Sequence, residues 1–369
     1  MGCADSRKML TNETKKDDKY TQKNLSKNNE INSKNTNNDN NLIKNNINSE
    51  EKNRKEEYKI DKEEKNKIND NDNDNDSDEF IIRYGTSNMI TLIYYAKTKG
   101  VYKIFGENFV AYNKDNILLV KNYKDSPFVH ECELQEGDNR ISLLIKKPLT
   151  YLTKMFSGCN SLKDISDIKY LDVSKVKYFD FTFAHVLTLS DISPLSNWDA
   201  SNGESFTSMF EGCSSLTNIK PLKYWNVSKG LDFDSMFNGC SKLNEIRALY
   251  KWNVSSGENF GCMFYNCSIL MDLTPLMNWN VSNGIDFQYM FGGCKLLSDV
   301  SPLVNWNVSN GENFSFIFSD CSNLSNVSHI KKWNVSNGNN FEGMLYNCPC
   351  SKDPLKDWNL SQEKFDSLQ

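Results

Sequence analysis

Apolar residues return along the C-terminal half of the chain at a fixed interval of 27 positions. Trp198, Trp225, Trp252, Trp279, Trp306 and Trp333 form one column. Phe206, Phe233, Phe260, Phe287, Phe314 and Phe341 form a second, and Phe210, Phe237, Phe264, Phe291 and Phe318 a third. Cys159, Cys213, Cys240, Cys267, Cys294, Cys321 and Cys348 keep the same step, with Val186 in the one gap, and so do Leu162, Leu189, Leu216, Leu243, Leu270, Leu297 and Leu324. A fixed period of this length marks stacked supersecondary units, each of which buries its apolar face only against its neighbours.

The spacing inside one coil predicts its elements. Phe233, Met236, Phe237 and Cys240 stand at i, i+3, i+4 and i+7, which lines one side of about two helical turns. The position before the first Phe holds Ser205, Asp232, Asn259, Asp286, Asn313 and Asn340, side chains that accept hydrogen bonds from the free NH groups of a helix start. Beyond the cysteine, Leu243 and Ile246 predict a short extended segment, ended in sister coils by Pro221, Pro275 or Pro302. The stretch Trp279-Asn280-Val281-Ser282-Asn283-Gly284 then predicts a turn with Trp and Val inward and a glycine suited to positive φ. Its asparagines (Asn226, Asn253, Asn280, Asn307, Asn334) are expected to bond to local backbone. The expected fold is an α/β repeat solenoid of about eight coils, each with a short strand, a turn and a short helix, over residues 149–369.

Ahead of the array the pattern changes. Phe80–Tyr84, Met89–Tyr95, Ile117–Val120 and Ile141–Ile145 read as short strands between Gly, Asn and Asp turns, which predicts a β-rich capping domain over 80–148. It would cover the open edge of the first coil. Residues 1–79 show no periodicity; they are about a quarter Asn and nearly free of aromatics, and so predict a disordered tail. Its run Asp70–Asp78 lacks the Gly and Glu spacing of a calcium loop and reads as an acidic linker.

Charge and cysteine content narrow the class. Net charge is -5 with no basic footprint, which argues against a nucleic-acid partner. No apolar run approaches the roughly 18 residues of a membrane span. Of the eleven cysteines, seven sit in one column among Met and Phe, the signature of small buried residues, so Cys213, Cys240, Cys267, Cys294 and Cys321 are expected to be core thiols beside the Trp column. Helical layers about 10 Å apart would hold them beyond disulfide reach.

The chain opens Met-Gly-Cys-Ala-Asp-Ser-Arg-Lys. Gly2 with Ser6 fits the myristoylation pattern, Cys3 suits palmitoylation, and Arg7, Lys8, Lys15, Lys16 and Lys19 add a basic flank. Membrane attachment through a lipid anchor, on the cytosolic face, is the expectation. Catalysis has no support: the three histidines, His130, His185 and His329, do not recur, and no phosphate loop, metal half-site or nucleophile elbow occurs. No cofactor, metal or small-molecule substrate is expected. The polar column Asp164, Asp191, Asn218, Glu245, Asp272, Asp299 and Asn326 lies between the Leu and Ile of each coil and is the candidate interaction face for a protein partner whose identity the sequence leaves open.

The phrases Ser208-Met-Phe-Glu-Gly-Cys-Ser-Ser-Leu-Thr-Asn-Ile219 and Trp225-Asn-Val-Ser228 resemble the BspA-like leucine-rich repeat family over about residues 150–360. The resemblance implies a curved solenoid used in protein contacts, commonly a surface protein, and no catalysis. Two readings follow from the two ends of the chain: an acylated scaffold or adaptor inside the cell, or an extracellular adhesin of the family type. Leu171 in place of Trp in the first coil, and the shortened spacing from Cys348 to Trp358 in the last, fit altered terminal units.

Overall fold

The structure, a computed structural model, describes residues 89–121 and 124–369. The expected tail, its acylation motif and the first expected strand, 80–84, lie outside the described residues. Those described belong to one compact unit, 84–369, so cap and array share a continuous hydrophobic core.

The cap is a mixed element. Strands β1 (Met89–Ala96), β2 (Gly100–Lys103), β3 (Ile117–Lys121), β4 (Lys124–Ser126), β5 (Glu131–Leu134) and β6 (Gly137–Ile145) surround one short helix, α1 (Glu107–Asn113). The larger sheet has the order β4-β3-β6-β1-β7, where β7 (Leu162–Asp164) belongs to the first coil; β2 and β5 pair separately. β1 runs antiparallel to β6 from Met89 opposite Leu144 to Ala96 opposite Gly137. Alternation along β1 puts Ile90, Leu92, Tyr94 and Ala96 in the core. α1 adds a helix to the β-rich cap; it buries Phe109 against Phe105 and Phe128, and Phe105 lies 6.1 Å from Phe156 of the first coil. Gly106 is the tight point of this docking, because a Cβ there would sit 2.1 Å from the Lys154 carbonyl oxygen.

Each coil differs from the expected strand, turn and helix in one decisive way: the stretch from the capping position to the cysteine is not helical. Backbone NH groups alternate between two destinations. Phe206, Ser208, Phe210 and Gly212 donate to Asp232, Asp234, Met236 and Asn238 of the next coil at 2.7–2.9 Å, while Met209, Glu211 and Cys213 turn back to the carbonyl three residues earlier. Two left-handed residues per coil, here Ser208 at φ 54° and Gly212 at φ 71°, make the alternation possible. An α-helix would turn every NH after its first four back into the coil, so the alternating donation along the whole stretch to the next coil would be lost. The stack therefore has the hydrogen-bond logic of a parallel sheet, with isolated parallel bridges joining Tyr151, Tyr178, Ser205, Asp232, Asn259, Asp286, Asn313 and Asn340 in order.

The second half of the coil is also reassigned. The Leu-x-x-Ile segment is a regular strand only in β7, and the turn that follows is a 3-10 helix, proline-marked in Lys220–Tyr224 and without proline in Arg247–Lys251. The glycine before the next coil is not needed for positive φ. A Cβ on Gly284 would lie 2.4 Å from Cζ of Phe287, so the ring occupies the space a side chain would take. The expected 10 Å layer spacing fails too. Phe183 and Phe210 stack at 5.6 Å and Trp198 and Trp225 at 6.2 Å, the separation of hydrogen-bonded strands and not of helices.

The segment after the last coil folds over the far end of the array. α2 (Gln362–Asp366) is capped by the Ser361 side chain, and the Ser367 and Leu368 carbonyls accept the Gly343 and Leu345 NH groups at 2.7 and 2.6 Å. These two residues stand where a further coil would otherwise accept.

Candidate interaction surface

The polar column proposed from sequence has a structural duty before any other. Asp164, Asp191, Asn218, Glu245, Asp272, Asp299 and Asn326 each accept, through a side-chain oxygen, the backbone NH two residues on, at 2.8–3.3 Å. That NH opens the 3-10 helix, so the column caps these helices. Several acids are engaged twice: Ser193 Oγ donates to Asp191 and Ser301 Oγ to Asp299, at 3.0 and 2.7 Å. Partial burial opposes ionisation of Asp299, but the Ser301 bonds outweigh it and hold the carboxyl below its ordinary range. Asp191, Asp272, Asp299 and Asn326 remain exposed, whereas Asp164, Asn218 and Glu245 are half-buried.

The tryptophans and cysteines are interior. Each indole Nε1 donates to a carbonyl thirty residues back: Trp198 to Ile168, Trp225 to Leu195, Trp252 to Leu222, Trp279 to Leu249, Trp306 to Leu276 and Trp333 to Leu303. The thiols repeat the device: Cys213, Cys240, Cys267, Cys294, Cys321 and Cys348 donate to the second phenylalanine carbonyl of the preceding coil at 2.8–3.3 Å. They are free, and burial pushes the Cys213 thiol up to about 12 and that of Cys240 well above its ordinary value. Cys213 and Cys240 thus stay protonated as donors. Coil spacing therefore does not keep neighbouring cysteines apart; each thiol instead has a carbonyl of its own. Gly2 and Cys3 lie outside the described residues.

The positions expected to cap a helix accept NH groups of a turn instead: Asp232, Asn259, Asp286, Asn313 and Asn340 each bond the residue two ahead at 2.8–3.2 Å. All but exposed Asn340 are half-buried, and beside their column, two residues beyond Tyr178, lies Asp180, an acid the sequence analysis does not single out. Burial pushes the carboxyl of Asp180 up to about 6, aided by nearby Asp232, and raises Asp232 and Asp286 as well. Ser205 Oγ donates to Asp180. At the near end this face becomes aromatic, with Tyr112, Tyr151 and Tyr178 ring to ring at 5.2 and 5.1 Å. Tyr151 and Tyr178 stand 27 apart, so the period could have found them.

The Trp-Asn-Val-Ser asparagines behave as expected, each taking the NH two residues on at about 3.1 Å, as from Ser282 to Asn280. A shallow polar cleft of about 480 Å³ is lined by Asn266, Gly293, Lys295, Asp320, Ser322 and Asn347. Asn347 Nδ2 bonds Asp320 within it. His130 and His185 each face one glutamate at 3.9 Å, Glu107 and Glu211. No helix among the described residues is long and apolar enough to cross a membrane.

A repeat built of backbone-laddered 27-residue coils has a counterpart among known families. The family model described as "Mycoplasma protein of unknown function, DUF285" matches residues 133–223, 190–301 and 270–367. The chain belongs to this family. The three overlapping matches run together from 133 to 367, so they cover all the coils and, of the cap, only β6 and the end of β5. No curated protein and no solved structure matches the chain.

Proposed function

We propose that the protein is a non-enzymatic protein-interaction solenoid, a leucine-rich-repeat-like array of the BspA type, tethered to the cytosolic face of a membrane by acylation of Gly2 and Cys3 and acting as scaffold or adaptor. One observation carries the reading: the coils are constant inside and variable outside. Backbone and apolar columns are spent on the neighbouring coil, while the position before each bridge, exposed except at half-buried Glu204, reads Lys177, Glu204, Leu231, Glu258, Ile285 and Glu312. Such a surface suits recognition through side chains on a rigid frame.

The anchor is tested by fractionating cells that express Gly2→Ala, which should move from membranes to the soluble fraction. The acidic column is tested by neutralising Asp272 and Asp299 to Asn, which keeps the capping oxygen, and measuring retention of any partner captured by the unaltered chain. Undiminished capture would leave those acids as caps alone. The BspA-like phrases also favour an extracellular adhesin; labelling of the protein by surface biotinylation of intact cells would select that second reading.

A further inference from the structure

Two neighbouring 3-10 helices, Lys220–Tyr224 and Arg247–Lys251, combine exposed cations with exposed tyrosines, whereas the related Lys169–Tyr170 pair of the first coil is half-buried. Lys220, Lys223, Arg247 and Lys251 are exposed, and between them stand Tyr224, 77% exposed and the most exposed large apolar side chain among the described residues, and Tyr250, 50% exposed. Lys223 Nζ lies 5.0 Å from the Tyr224 ring centroid. The capping column is weakest in charge here, because one cap is the neutral Asn218 and the other, Glu245, is met by Arg247 at 3.7 Å. Lys220, Lys223 and Lys251 form no ion pair among the described residues.

The backbone NH groups that begin and end these two helices are already engaged. The leading NH groups are taken by Asn218 and Glu245, and the NH groups of Trp225 and Trp252 bond Leu222 and Leu249. Strand addition needs free backbone groups and peptide capture needs pockets. What remains is a row of cations with amphipathic rings between them, the side-chain set that suits the headgroup layer of an anionic bilayer.

We propose that this edge is a second membrane contact, laying the middle coils against anionic phospholipid. It rests on the membrane location proposed above and deepens it. Acylation of Gly2 and Cys3 would hold the chain at the bilayer through its N-terminus, and the folded edge adds a basic contact in the array itself. Tethering raises the local concentration, which lets an edge that is weak alone engage once the anchor is in place.

The test uses the full chain expressed without acylation, sedimented with vesicles of phosphatidylcholine alone or with about one-third phosphatidylserine. Binding is expected to the anionic vesicles only, to weaken steeply with salt, and to fall at least tenfold in Lys220→Gln/Lys223→Gln/Arg247→Gln/Lys251→Gln. Tyr224→Ser/Tyr250→Ser should lose severalfold. All six side chains are exposed, and unchanged circular dichroism and melting would verify the fold. Equal binding of the fourfold variant and the unaltered chain would overturn the proposal, since the basic N-terminal segment is present in both. Retention on a polyglutamate matrix without vesicle binding would overturn it in favour of an acidic polypeptide. Failure of the anchor shows separately, as unchanged fractionation of Gly2→Ala.

Discussion

Trp279 Nε1 donates to the carbonyl oxygen of Leu249 at 3.0 Å, and that same oxygen already accepts the backbone NH of Trp252 at 3.0 Å. One carbonyl thus receives two successive tryptophans of the column. The indole both fills the core and satisfies the second lone pair of a group that faces the adjoining coil. In the last coil this link is missing. Trp358 stacks on Trp333 at 6.5 Å, but its Nε1 is buried with no acceptor, because Cys348 to Trp358 spans 10 positions where Cys321 to Trp333 spans 12.

This contrast predicts unequal costs for one substitution. Trp279→Phe should destabilise by about 1–2 kcal/mol more than Trp358→Phe, since the first loses a hydrogen bond and the second removes an unpaired donor. Trp279→Ala should cost about 3–5 kcal/mol. Urea unfolding of the three variants is the measurement, and equal losses for the two Phe variants would contradict the role given to the indole NH.

Gly284→Ala should destabilise by about 1–3 kcal/mol, although its φ is open to any residue, because the new Cβ would overlap the Phe287 ring and approach the Val281 carbonyl to 3.0 Å. Gly284→Ala/Phe287→Leu should regain part of that loss. A neutral single variant would show that the ring can move aside.

Asp180 should make the array less stable as pH rises. Its carboxyl is pushed up to about 6 by burial, against about 3.9 in an unfolded chain. Between those values the folded state binds more protons than the unfolded one, so stability falls with rising pH across that window and stays lower above it. Asp180→Asn keeps the oxygen that accepts from Ser205 and should raise stability at pH 7 by up to about 2 kcal/mol, with the gain gone by about pH 4. Melting curves at several pH values measure this; a gain that persists in acid would rule out ionisation as its cause.

The column thiols should be inert while the protein is folded. Cys240 and Cys267 are fully buried, donate to Phe210 and Phe237, and have their ionisation opposed by burial. A thiol-disulfide reagent followed by site-resolved mass spectrometry should label them only after denaturation. Rapid labelling in the native state would mean that the coils open readily.

The sequence by itself determined the period, the identity of the interior columns, and the inward placement of Trp, Phe, Cys and Leu, because a stack buries whatever recurs. It also marked the polar positions that bond to local backbone: Asn280 and Asp232 each accept the NH two residues on. What only the tertiary structure decided is where the backbone hydrogen bonds go. Phe233, Met236, Phe237 and Cys240 have helical spacing, but the spacing describes one coil in isolation. In the stack, Phe233 and Phe237 send their NH groups to Asn259 and Met263 of the next coil, and the chain accepts left-handed Ser235 and Gly239 to allow it. Each left-handed non-glycine residue costs about 1 kcal/mol or more; the inter-coil bonds that offset it do not exist until a neighbour is present. The acidic column is a second instance, since Asp272 and Asp299 read as a free face until the 3-10 helices they cap are formed. The basic edge at Lys220–Lys251 occupies repeat positions, with Lys220 and Arg247 one period apart, but its residue types do not recur along the array, and only the exposure seen in the folded coils marks its cations and tyrosines as one surface.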